Sequence, residues 1–160
     1  MTLPFADDLN YWKTSARRSA DDWLTMTVDL IGALGGKVLA WGSGSEPETG
    51  RSAYMITFEI GGDHFRAIWP VLPTRSGKPA DLKSARTQAA TMLYHDTKAK
   101  CLKAVIFGAR TAFFDYLMLP DGRSATSLTA PEIEATLPEM FKPPAQQRLM
   151  LPPGLEEEEE

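Results

Sequence analysis

The chain has 160 residues, 43% of them apolar and 24% charged, with 12 glycines and 12 prolines. That profile belongs to one folded domain and excludes a disordered or fibrous polymer. Roughly two thirds of the unfolded surface is buried on folding at this length, so neither disulfides nor a structural metal is required. A single cysteine, Cys101, excludes a disulfide framework and any cysteine-based zinc or iron–sulfur site, and it suits a reducing, cytoplasmic compartment. No apolar run reaches the length of a membrane span, and Met1-Thr2-Leu3-Pro4-Phe5-Ala6-Asp7-Asp8 lacks the basic flank and apolar stretch of a signal peptide.

The net charge of -4 is unevenly spread. Residues 1–50 sum to -3 and residues 124–160 to -6, whereas residues 51–123, with Arg51, Arg66, Arg75, Lys78, Lys83, Arg86, Lys98, Lys100, Lys103, Arg110 and Arg123, sum to +5. A basic middle between acidic ends suits a polyanion-binding face with which an acidic tail competes, because local potential matters more than total charge. The same distribution also describes a solvated helix followed by a solubilising tail.

In chain order, Ser15–Leu34 reads as a first helix. Ser19 can cap it, Asp21 and Asp22 suit its positive end, and Ala20, Leu24, Val28, Ile31 and Leu34 recur at helical spacing until Gly35-Gly36 stops it. Lys37–Trp41 reads as a short strand and Gly42–Gly50 as a polar, glycine-rich loop. A hairpin follows. Tyr54, Ile56, Phe58 and Ile60 alternate on one strand, Gly61-Gly62-Asp63 turns, and Phe65, Ala67 and Trp69 alternate on the return, which leaves His64 and Arg66 on the opposite face.

Pro70 closes the return strand, and Val71–Pro79 is a loop. Ala80 to about Phe107 holds no Pro or Gly and reads as one long helix, with Leu82, Ala85, Ala89, Met92, Ala99 and Leu102 as the stripe that covers the sheet. Thr111–Leu119 is compatible with helix or strand, and Pro120-Asp121-Gly122-Arg123 is a turn suited to a closing hairpin. Ala130–Phe141 suits a short helix, and the prolines and Glu156–Glu160 beyond it suit an extended, disordered tail. The expected fold is α+β: one domain from about 10 to 142, with an antiparallel sheet and hairpin covered by one long helix, an N-terminal helix, and a Pro-rich acidic tail over 143–160.

Catalytic chemistry is sparse. His64 and His95 have no second metal ligand at helix or strand spacing, and there is no Walker loop, dinucleotide fingerprint or nucleophile elbow. Gly32–Gly36 ends a helix where a phosphate loop would begin one. Cys101 lies in a lysine-rich turn that can lower a thiol pKa, yet no histidine is placed beside it, so a small core residue is the simpler role. The sequence therefore predicts no enzyme, no cofactor and no metal; a small α+β enzyme acting through His95 and Asp96 is the minority alternative.

What remains is cationic groups interleaved with aromatics: Tyr54, Phe58, Phe65, Arg66 and Trp69 on the hairpin, Arg75 and Lys78 in the loop, then Lys98, Lys100 and Lys103. Single-strand binding uses such parts, cations for phosphates and flat rings for bases, although alternating aromatics on a strand also simply build a core.

The order of strand, hairpin with Gly61-Gly62-Asp63, loop to Pro79, and a long helix bearing Ala85-Arg86, Lys100 with Lys103 and an exit at Phe107-Gly108 resembles the core of the single-strand annealing proteins of phage and eukaryotic recombination, over residues 37 to about 110. The helix here is several residues longer between Ala85-Arg86 and Phe107-Gly108, and its basic pair is split by Cys101-Leu102. The resemblance implies a ring or helical homo-oligomer that holds single-stranded DNA by its backbone and promotes pairing without ATP. It assigns that contact to Arg66, Lys98, Lys100 and Lys103, joined by Arg75 and Lys78 of the loop, and gives Glu156–Glu160 a protein partner or a place in competition with DNA. A non-catalytic phage or mobile-element accessory protein, acting through the hairpin and Trp23, Trp41 or Trp69, is the alternative.

Overall fold

The structure, a computed structural model, describes residues 2–13 and 17–127. Helix α1 (Ala20–Ala33) leads into a four-stranded antiparallel sheet of β1 (Lys37–Ser45), β2 (Ser52–Ile60), β3 (Asp63–Pro70) and β4 (Leu117–Met118), in the order β1-β2-β3-β4. Between β3 and β4 come the long helix α2 (Pro79–Phe107) and the single turn α3 (Ala109–Ala112). The architecture is α+β, with the hairpin, the long helix and the N-terminal helix where the hydrophobic pattern puts them. The expected helix at 130–141 and tail at 143–160 lie outside the described residues.

Helix α1 begins at Ser19, later than the Ser15 boundary set by periodicity, because a capping box fixes the start. Ser19 Oγ accepts from Asp22 N while Asp22 Oδ2 accepts from Ser19 N, both at 3.1 Å. At the other end a side chain on Gly36 would strike Ile31 Cγ2 at 2.7 Å and Ile60 Cγ1 at 3.0 Å, so only glycine lets β1 leave so close to the helix.

The hairpin register follows the alternation. Phe58 faces Phe65, Ile56 faces Ala67 and Tyr54 faces Trp69, across a two-glycine turn with φ of 60° and 85°. All of these except the half-buried Trp69 are buried on one face, beneath α1 and α2. At the centre Phe58, Phe65 and Phe113 are sealed from solvent, with ring centroids 5.2, 5.3 and 5.7 Å apart.

Three expectations need correction. The glycine-rich segment after Trp41 is strand as far as Ser45, with Gly42, Ser43, Gly44 and Ser45 paired to Met55, Tyr54, Ala53 and Ser52; the loop is only Glu46–Arg51, because β2 offers an unpaired edge that outweighs glycine's weak strand preference.

The apolar stripe of α2 is also misplaced at both ends, since Leu82 and Leu102 are exposed while Thr87, Gln88, Thr91 and Thr97 are buried. Three of these polar side chains donate hydrogen bonds to backbone carbonyls. Thr87 and Thr91 donate to the carbonyls of Lys83 and Thr87, and Gln88 Nε2 donates to Ala6 O and Asn10 O, both at 2.9 Å, which ties down the N-terminal arm.

The 111–119 segment, open between helix and strand, is in fact a relay. It runs from α3 through a 3-10 turn at Phe114–Tyr116 to β4, and the Pro120–Gly122 turn returns Ser124 to pair with Met118.

Candidate nucleic-acid interface

The six cations chosen from the sequence do not share one surface. Arg66 stands exposed on the sheet face that no helix among the described residues covers, opposite Thr57. Arg75 is engaged at the other end of the chain fold: its guanidinium reaches Asp8 Oδ2 at 2.6 Å and lies 4.5 Å over the Phe5 ring. Lys78 is the residue before α2, and Lys98 and Lys103 are exposed on its second half.

Lys100 is already engaged. Its side chain is only 14% exposed and its ammonium pairs with Asp96 at 2.7 Å and Asp115 at 3.1 Å, so a phosphate would have to displace two carboxylates. Burial alone would lower its pKa, but the hydrogen bonds it donates to Asp96 and Asp115 and the charges of those carboxylates outweigh that, and the amine is held protonated above its ordinary range.

The same cluster engages one member of the His95–Asp96 pair. Asp96 accepts from Lys100 and from the Tyr116 hydroxyl, while His95 stacks on Tyr11 at 5.1 Å and sits 5.7 Å from Trp23. Half-burial pushes the Cys101 thiol pKa up, so the lysine-rich turn does not make it a reactive thiol.

Burial, then the carboxylate of Asp96, also raises the Tyr116 pKa, and burial raises that of Tyr54. A folded phenol that keeps its proton where the unfolded one loses it makes stability fall with rising pH, starting near the ordinary tyrosine value of about 10. Lys100 acts in the same direction, because the unfolded lysine gives up its proton first. Urea midpoints are expected to fall above about pH 10, and less steeply in Tyr116→Phe. An equally steep fall in that variant would contradict the assignment.

A different cationic site is built where the N-terminal arm, the cap of α1 and the first turns of α2 meet. Lys13, Arg17, Arg18 and Lys83 surround a cleft of about 350 Å³, together with the hydroxyl side chains Ser19, Ser84 and Thr87, and among the described residues no carboxylate lines it. The four cations and the Ser19 hydroxyl are donors that phosphate oxygens accept from, whereas the Ser84 and Thr87 hydroxyls already donate to the carbonyls of Ala80 and Lys83; an anion there also meets the positive end of α1.

The approach to this cleft is held in an unusual conformation. Tyr11 and Lys13 have φ of 66° and 56°, a left-handed backbone that costs non-glycine residues about 1–2 kcal/mol each. Tyr11 is fixed by its stack on His95, and Lys13 by an ion pair with Asp81 at 3.3 Å. The Ser76 hydroxyl, then Lys13, holds the Asp81 carboxyl below its usual range. Arg18 lies 5.6 Å over the Trp23 ring, an orientation that keeps its guanidinium at the rim.

Sequence reasoning missed Lys13, Arg17 and Arg18 because they belong to a fifty-residue stretch whose sum is acidic. The available signal was local: three cations within six residues, directly before a helix cap, with no acid among them.

The second concavity, about 570 Å³, lies on the open sheet face and is floored by Ala40, Gly42, Gly44, Ala53, Met55 and Ile68. Its one cation among the described residues, Arg51, comes with Glu46, so it is an apolar trough and not a phosphate groove.

Comparison with protein-family models, curated proteins and solved structures gives no match to this chain. Among the described residues no three His, Cys, Asp or Glu side chains stand where they would hold a metal ion, and no helix is long and apolar enough to cross a membrane.

Proposed function

We propose that this protein binds the backbone of single-stranded DNA and promotes pairing of complementary strands without ATP, working as a homo-oligomer. The cleft of Lys13, Arg17, Arg18 and Lys83 carries this reading, because four cations with no carboxylate among the described lining residues suit a chain of phosphates and leave bases free to pair. Lys78 at the start of α2, and Arg66, Lys98 and Lys103 on their separate surfaces, would add weaker contacts; Lys100 is withdrawn from the set. The order of hairpin, loop and long helix is in keeping with the annealing-protein resemblance.

Annealing of two complementary oligonucleotides, one fluorescent and one quenching, tests the reading without nucleotide or metal. The expected result is a rate that rises with protein and is lost when Arg17 and Lys83 are changed to glutamine. A rate equal to that of the free strands would refute strand annealing. One observation favours the accessory-protein alternative, in which protein contacts are the activity: the last turns of α2 expose a block of large apolar side chains.

A further inference from the structure

That block is the most conspicuous surface the proposed DNA contact does not use. Leu102, Val105, Ile106 and Phe107 are 64, 76, 74 and 64% exposed, and of residues 98–107 only Ala104 is buried. The described residues that follow do not cover them, because they are fastened elsewhere. Arg110 binds Asp63 at 2.8 Å, Phe113 enters the aromatic core, and Leu117 pairs opposite Phe65. Exposed apolar area of this kind marks an interaction surface.

Charge states the chemistry of the partner. Lys98 and Lys103 are exposed beside the apolar block, and no acidic residue occurs from Lys98 to Arg110. The complement is therefore a segment both apolar and acidic. This chain carries one: residues 130–141 hold Ile133, Leu137, Met140 and Phe141 beside Glu132, Glu134 and Glu139, with no cation before Lys142.

We infer that the exposed end of α2 is the seat for residues 130–141 of a second copy, which makes a head-to-tail contact in which each chain offers both halves. Apolar burial supplies the affinity and the lysine–glutamate match sets the orientation. The inference does not depend on nucleic acid.

Its test uses full-length protein without DNA, with mass measured by light scattering across a wide concentration range. Wild type is expected to associate. Leu102→Ser with Ile106→Ser destroys the seat at exposed positions, and Ile133→Ser with Leu137→Ser destroys the segment; each double variant should be monomeric with an unchanged circular dichroism spectrum. Mixing the two variants should restore a dimer and nothing larger, since one intact seat meets one intact segment. A wild type that stays monomeric would assign the seat to another occupant and overturn the inference, as would association that survives in both variants or a mixture that stays monomeric.

Discussion

Changing Arg17, Arg18 and Lys83 together to glutamine is expected to weaken binding to a single-stranded oligonucleotide by on the order of 100-fold, while the thermal midpoint stays within a few degrees of wild type. Each lost phosphate contact at an accessible site is worth about 1 kcal/mol, and three such losses correspond to that factor. Arg17, Arg18 and Lys83 are all exposed, so their removal leaves no cavity and no buried unpaired group. Equal changes at Lys100 and Arg75 should differ in kind. Neutralising either frees a carboxylate partner, so the effect falls first on the fold for Lys100, with its two carboxylate contacts, and barely on binding for either. Fluorescence anisotropy on both sets separates the cleft from the cations singled out by sequence spacing.

Phe58→Ala is expected to have the largest effect on stability, a loss of about 3–5 kcal/mol, against a total of about 5–15 kcal/mol for a domain of this kind. Phe58 is fully buried, stacks on Phe65 and meets Phe113 edge-on. The void would open between the hairpin and the segment joining α2 to β4, and neither can collapse into it, because the register of β2 with β3 and the Arg110–Asp63 ion pair fix the backbone on both sides. Phe58→Leu should lose far less. Urea denaturation of the two variants makes the comparison, and equal losses would mean that the aromatic packing has no special weight.

The hairpin was legible in the sequence because period-two alternation and a Gly-Gly turn act locally, and the register they imply is the one observed. Strand β1 was legible only as far as Trp41. Its second half owes its conformation to β2 alongside, a partner that composition does not reveal. The buried face of α2 was half legible: Ala85 and Ala89 follow the apolar pattern, whereas Gln88 is buried because two carbonyls of the N-terminal arm await its amide, a contact 78 and 82 residues away in sequence.

The candidate site failed in the sequence for the same reason of distance. Lys83 joins Lys13, Arg17 and Arg18 only through the packing of α1 against α2, and the lysines of α2 that do cluster in sequence point to different surroundings, with Lys100 turned onto Asp96 and Asp115. Charge counting finds cations, but carboxylate geometry decides which of them are free to meet a phosphate.

The most direct measurement is the affinity of the wild-type protein for a single-stranded oligonucleotide of mixed sequence, titrated at several salt concentrations. Four cations on a single strand predict a slope of log K against log salt of about -3, a loss of roughly 50-fold between 50 and 200 mM. An affinity that does not change over that range, or no binding at its lower end, would contradict a phosphate-binding cleft.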